Sequence, residues 1–315
     1  MSREISPAFS PNTLFAKSKV YMSRGLKAKH AGALDEYQLW ASLALELLAK
    51  SSLSNVHPAL VADPSHYQSL FAACGHPLSP DVKTITAKTL FERLSHISKS
   101  FDKRIQKFCE QLALRRNSEI HSGESPFSGM SSEAWEAKFW HAAHMILEIQ
   151  NKELEQWLGA DEAQAPRQIL KEAKEAIAMM VKTRIAHALE DFKLKHKSEK
   201  KQEELINAST QAKPWGHYDR FSFSIDNFQL HECPGCKGMG VIGGTQYDEE
   251  ISEGQDPDDP FTEYVDVKYA TEEFVCLVCE LHLLGSQEIS ATELPDEFYD
   301  TEERERAFEP DYGND

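Results

Sequence analysis

LALRRNSEIHSGE, residues 112–124, closes an amphipathic helix on two arginines, an asparagine and a histidine. Upstream, Ile105, Phe108, Leu112 and Leu114 belong to a buried face, and Gly123 is a natural helix stop. The polar cluster therefore falls in the last turn. Asn117 and His121 are four residues apart and share a face, with Arg116 about 100° aside. A histidine in the last turn also feels the negative end of the helix dipole, which favours its charged form and suits it to proton donation near neutral pH. The plain alternative is a solvated helix end with His121 as its cap. With 13 His in 315 residues, the bare arginine-to-histidine spacing arises readily by chance, so its surroundings have to decide.

Working outward, the pattern is helical from about residue 12 to 205, in about seven helices without a repeat. The first spans about 12 to 30. Asp35 is the expected N-cap of the second, whose Leu39, Leu43 and Leu47 with Trp40, Ala44 and Leu48 make a broad apolar face. Shorter helices are expected near 64–74 and 82–97. The helix carrying the opening stretch begins near Phe101, and Ser131 or Ser132 caps the next, with Trp135, Phe139, Ala142, Ile146 and Ile149 in one stripe. A long, increasingly polar helix covers about 166–205. At HYDRFSFSIDNFQLHECPGC, residues 217–236, the period changes to two, with Phe221, Phe223, Ile225 and Phe228 among polar residues, which reads as strand. TEYVDVKYATEEFVCLVC, residues 262–279, is a second strand-like stretch. DEEISEGQDPDDPF, residues 248–261, is too acidic and too rich in turn formers for a core element.

Four of the six cysteines form two CxxC pairs, Cys233 with Cys236 and Cys276 with Cys279. Such knuckles turn both thiolates toward one ion, and Gly235, Gly238 and Gly240 are expected to supply the backbone freedom. Four thiolates close a tetrahedral shell, which makes structural Zn2+ the expected cofactor. An iron–sulfur cluster would use the same ligands, a redox dithiol would need one pair only, and His231 is a substitute ligand beside a complete set. The pattern resembles a zinc ribbon with an enlarged acidic insertion. Cys74 and Cys109 read as small buried thiols within helices.

The net charge of -17 seems to argue against a nucleic-acid partner, yet it is unevenly spread. Residues 237–275 hold 11 acids and 2 bases, and residues 280–315 hold 12 acids and 2 bases, so the remainder stands near +2. Lys17, Lys19, Arg24, Lys27 and Lys29 give the first helix a basic face, and Lys193, Lys195, Lys197, Lys200 and Lys201 do so for the last. Charge runs are usually solvated faces; if RNA binds, these are its electrostatic contacts. With 41% hydrophobic residues, no apolar run of membrane-spanning length and no apolar signal core in MSREISPAFSPNT, a cytoplasmic globular protein is expected.

At Arg116-Asn117-Ser118-Glu119-Ile120-His121 the sequence resembles the RNxxxH form of the Rx4-6H motif of HEPN domains, helical bundles that often act as ribonucleases. LWASLALELLAKSSLSNVHPALVADP, residues 39–64, is similar to an early helix and loop of that family. The resemblance covers residues 12 to 160. It implies a HEPN-like helical domain over 1–160; joined to the long helix and linker over 161–212, the small zinc-ribbon-like β domain over 213–290 and the acidic disordered tail over 291–315 that the patterns above give, the expected fold is mainly α. It implies a metal-independent RNA endonuclease acting as a homodimer, a toxin or antiviral defence effector, with an antitoxin or regulatory protein as a further partner. His121 would be general acid or base, Arg116 would hold the phosphate and offset its charge, and Asn117 would position the backbone or the histidine. Arg115 and Glu46 stand as supporting candidates. The runner-up is a non-catalytic HEPN dimer that presents the zinc ribbon to protein or nucleic acid.

Overall fold

The computed structural model describes residues 5–128, 132–255, 259 and 261–306, which fall into two compact units, 1–179 and 180–315.

In the first unit, α1 (Pro11–His30) starts on Ser10, whose hydroxyl accepts the Thr13 N–H at 3.4 Å, with Pro11 in the first turn. The second helix, α2, spans Leu34–Val56. Its cap position is Ala33, and Asp35 lies inside the first turn, accepting the Glu36 N–H at 2.9 Å. Ser51 on α2 donates to the Pro11 carbonyl at 2.9 Å, while the Tyr21 and Trp40 rings meet edge-on at 5.3 Å, so the two helices run antiparallel. Around them stand α3 (Tyr67–Ala73), α4 (Ala87–Ser95), α5 (Lys103–His121), α6 (Ser132–Glu148) and α7 (Leu154–Leu158). Tyr37, Leu45, Leu48, Phe91, Phe101, Phe139, Trp140 and Trp157 fill one core. Each such side chain removed from water contributes roughly 1.5–3 kcal/mol. Trp157 brings a polar handle into that core, and its indole N–H donates to Ser18 at 3.0 Å. Residue 131, one of the two caps expected for α6, lies outside the described residues.

The helix expected over 166–205 is two, α8 (Gln164–Lys195) and α9 (Glu199–Ser209). The second unit holds α8 from residue 180, α9, α10 (Ser286–Ile289) and a curled antiparallel sheet of five strands. These are β1 (Asn227–Glu232), β2 (Met239–Ile251), β3 (Thr262–Cys276), β4 (His282–Leu284) and β5 (Glu297–Glu305). One edge of β3 pairs with β2; the other carries β5 along residues 262–270 and β4 along 273–275. Register shifts at Gly243/Gly244 and Gln246/Asp248 sit in the long β2–β3 ladder, where an extra residue bends and twists a strand. Arg184 of α8 fastens the helix to this sheet unit, donating to the buried Glu288 carboxylate at 2.6 Å and to the His282 carbonyl at 3.1 Å.

This overturns the expectation of a mainly α chain with a small β zinc ribbon. Of the described residues 53% are helical, and the C-terminal half-barrel makes the fold mixed α and β. Two acidic stretches mislead the eye. Asp248–Ile251 continue β2, and Glu297–Glu305, within the expected disordered tail, form β5. Along β3, Val265, Val267 and Tyr269 are buried, while Asp266 and Lys268 alternate toward the other face. Tyr269 stacks on Phe298 of β5 with ring centroids 5.3 Å apart. Period-two burial therefore coexists with high negative charge, and charged side chains suit an edge strand such as β5, whose free side they protect from further pairing. Residues 307–315 of the expected tail lie outside the described residues. Phe221 and Ile225, expected in strand, precede β1 and pack on Gly243, where a Cβ would approach them to 2.7 and 2.9 Å.

Candidate functional site

Helix α5 begins on Asp102, whose carboxylate accepts the Ile105 N–H at 2.8 Å. Ile105, Cys109 and Leu112 form its buried stripe. Arg116 is the next position on that stripe, four residues on, so its guanidinium is carried inward where an apolar side chain would otherwise pack. There its Nη1 lies 2.6 Å from Oε2 of Glu46 on α2. The approach is off the line of a hydrogen bond, so it acts as an ion pair. The other carboxylate oxygen accepts from Lys50 Nζ at 2.8 Å, and Lys50 also donates to Thr84 at 3.0 Å. All three charged side chains are 11 to 14% exposed. Burial pushes the Glu46 carboxyl up, but Lys50 and then Arg116 outweigh it and hold it below the ordinary carboxylate range. One carboxylate against two cations leaves a net positive charge. Arg116 Nε is buried without an acceptor among the described residues. An unmet buried donor costs about 1–3 kcal/mol, more when charged, which an incoming anion would relieve.

Asn117 and His121 are exposed and share a face of α5. Arg116 lies about 100° from Asn117 and about 140° from His121 around the helix, so one chain does not bring all three to a point. Arg115 is exposed on the same helix. Leu114, expected on the buried face, is exposed half a turn around α5 from Ile105, and with exposed Ile120 it lies near Asn117 and His121. Ser122, in extended backbone, ends the helix, and its hydroxyl donates to the Ser118 carbonyl at 2.7 Å. Of the candidates, the structure joins Glu46 to Arg116; Lys50 is the member that the sequence reading missed. Its signal was present, a glutamate and a lysine four apart within an apolar helix.

The second unit collects the four paired cysteines. Cys233, Cys236, Cys276 and Cys279 are buried, with their sulfurs all within 4.8 Å of one another. Cys233–Cys279 and Cys236–Cys276 approach to 3.7 and 3.5 Å. A tetrahedral ion with metal–sulfur bonds of about 2.3 Å has edges of about 3.8 Å, so the four thiols fit one mononuclear metal. A multi-iron cluster needs its thiolates further apart. His231 is not among the clustered ligand atoms. Hydrogen bonding from Cys233 holds the Cys236 thiol down, and the contact with Cys233 pushes the Cys279 thiol up. Four adjacent thiols cannot all ionise without a cation between them.

The two knuckles repeat one backbone pattern. Cys233 N–H donates to the Gly238 carbonyl at 2.8 Å and Cys276 N–H to the Leu281 carbonyl at 2.8 Å, each five residues on. Gly235 N–H points at the Cys233 sulfur at 3.4 Å, and Val278 N–H at the Cys276 sulfur at 3.4 Å. The left-handed residue is Lys237 in one (φ 63°) and Glu280 in the other (φ 62°). The glycines therefore act otherwise than expected. A Cβ on Gly238 would meet Val278 Cγ2 at 2.5 Å, and one on Gly240 would meet the Phe274 ring at 2.4 Å, so their role is close approach between knuckles and strands. Among the remaining cysteines, Cys109 is buried, as expected, whereas Cys74 is exposed at the end of α3.

No family model, curated protein or solved structure matches this chain. No helix among the described residues is long and apolar enough to cross a membrane.

Proposed function

We propose that this protein is a metal-independent RNA endonuclease of HEPN type, acting as a homodimer, with a structural zinc in its C-terminal unit. The observation that carries the reading is the Arg116 guanidinium, largely withdrawn from water and held by Glu46 yet with its buried Nε lacking an acceptor among the described residues, in a cluster of net positive charge at the end of α5. A scissile phosphate supplies the missing acceptor. His121 and Asn117 face away from Arg116 in one chain, and a two-fold axis at the exposed end of α5 would bring two motifs around one phosphate. In that site a ribose 2′-hydroxyl attacks the adjacent phosphorus. One histidine takes the hydroxyl proton, the other protonates the departing 5′ oxygen, and the products are a 2′,3′-cyclic phosphate and a 5′-hydroxyl. Arg116 offsets the charge developing on the non-bridging oxygens. The four cysteines would hold zinc with no position left for water, so the ion supports the fold of the sheet unit. A toxin or antiviral defence role, restrained by an antitoxin or regulatory protein, accords with such an activity.

The test is cleavage by purified protein of an RNA that reports both product ends. Arg116→Ala and His121→Ala should each lower the rate by about 10² to 10⁴, wild-type activity should persist in EDTA while the zinc is retained, and 2′-O-methylation at the scissile nucleotide should block it. Efficient cutting of DNA, or an absolute need for magnesium, would refute the chemistry. A folded dimer without activity on any RNA would favour the runner-up, a binding module built on the same helices.

A further inference from the structure

The charge of the two units is unequal. Residues 1–179 hold 21 Lys and Arg against 20 Asp and Glu, and residues 180–315 hold 13 against 31. Within the near-neutral first unit the cations are gathered on α1, which has five Lys and Arg and no acid. Several cations elsewhere have an acidic partner at close range: Lys50 and Arg116 share Glu46, Arg167 meets Glu153 and Glu155, and Arg184 meets Glu288. On α1 only Lys29 has such a partner, Glu136 at 2.7 Å, among the described residues. Lys17, Tyr21, Arg24 and Lys27 follow at intervals of four, three and three, with Val20 beside Tyr21, a single face that rises about 15 Å along the helix. Its charged members and Val20 are exposed.

The same face carries aromatic rings. The Arg24 guanidinium lies over the Trp40 ring at 4.9 Å and over Tyr21 at 5.6 Å, and Lys17 Nζ stands 5.6 Å from the Tyr21 ring. The neighbouring acid is Glu36, which accepts the Trp40 indole N–H at 3.1 Å at the edge of the patch. Arg24 is thus held against rings and keeps its donors and outer face available. Uncancelled cations interleaved with aromatic rings form the pattern that tracks a phosphate backbone while stacking unpaired bases.

We infer that the α1 face of Lys17, Tyr21, Arg24 and Lys27, with Trp40 of α2, is a single-stranded RNA tract separate from the α5 site. The inference rests on the ribonuclease reading for the identity of the nucleic acid. Duplex RNA offers the same phosphates without free base faces, and an acidic polypeptide offers charge alone, so single-stranded RNA is the occupant that uses both features.

The test uses the full-length His121→Ala protein, so that binding is read without cleavage, with a fluorescent unstructured 12-nucleotide RNA, its duplex and poly-glutamate in parallel titrations. Lys17→Gln/Arg24→Gln should weaken binding of the single strand at least tenfold and lower the salt slope by about 1.4, the counterion release of two contacts at about 0.7 each. Both substitutions lie on an exposed face, and an unchanged circular dichroism melt will establish that the double variant is folded. Trp40→Leu should weaken single-strand binding at least fivefold with the salt slope unchanged, which distinguishes stacking from charge. Unchanged affinity and slope in the double variant, duplex bound as tightly as single strand, or poly-glutamate bound more tightly than RNA would each overturn the inference. Wild-type protein that binds through this face without cleaving RNA would sink the ribonuclease reading alone, whereas cleavage and binding that are both indifferent to the double variant would sink this one alone.

Discussion

Replacing Glu46 with glutamine keeps the shape of the side chain and removes the charge that two buried cations share. Lys50 and Arg116 are 11 and 13% exposed, so neither can be fully rehydrated without local movement. Breaking a buried ion pair from one side costs about 3–5 kcal/mol, and the residual exposure puts this case near the lower end, about 3 kcal/mol. With a urea dependence of about 3 kcal/mol/M for a unit of this size, the unfolding midpoint should fall by about 1 M. Four of the five tryptophans, Trp40, Trp135, Trp140 and Trp157, belong to the first unit. Fluorescence in a Trp215→Phe background therefore reports that unit. The pH dependence has a definite sign. The folded pKa of Glu46 lies below its unfolded value of about 4.3, so the stabilisation is complete above that value and is lost as pH falls through the folded pKa. The difference between wild type and Glu46→Gln should accordingly be constant from pH 6 to 7 and shrink below about pH 4. Arg116→Gln alone should also destabilise, and the double variant should cost less than the two singles together, because the second change removes the cation that the first left unpaired. A loss under about 0.5 kcal/mol for Glu46→Gln, or strict additivity in the cycle, would refute the description of this cluster as a coupled buried network.

Metal analysis should return one zinc per chain; Cys233→Ser or Cys279→Ser should abolish it and expose the amides of the sheet to hydrogen exchange while the first unit keeps its protection. Gly240→Ala should destabilise the sheet unit by several kcal/mol, since the new methyl would stand 2.4 Å from Phe274, and an unchanged melting temperature would contradict the packing described. In the zinc-loaded native protein a thiol reagent should label Cys74 at the rate of an exposed thiol and leave Cys109 untouched until unfolding, because burial pushes the Cys109 thiol well up.

Much of the first unit was legible because helices are local. The apolar spacing of Ile105 and Leu112 fixes which face of α5 turns inward, although Cys109 completes that stripe and Leu114, expected on it, is exposed, and the Asp102 cap and Ser122 end fall within a residue or two of where spacing puts them. The cysteine quartet was legible for the same reason: a CxxC knuckle is a local turn, and two of them define a ligand set before any fold is known. What each residue does inside those elements was less so. That Arg116 continues the buried stripe can be counted from the sequence, but that Glu46 and Lys50 meet it there depends on how α2 packs against α5. Strand pairing escaped further. Glu297–Glu305 read as a solvated acidic tail because negative charge dominates its composition, and only its partner β3, about 35 residues away, makes it a strand by supplying hydrogen bonds and a ring under Phe298. The knuckle glycines show the same division, since sequence marks the positions that must be small, whereas the tertiary contacts with Val278 and Phe274 decide that the reason is space and leave the left-handed turns to Lys237 and Glu280. Local periodicity is written into neighbouring residues. Pairing between distant segments is decided by the surfaces that the folded chain brings together.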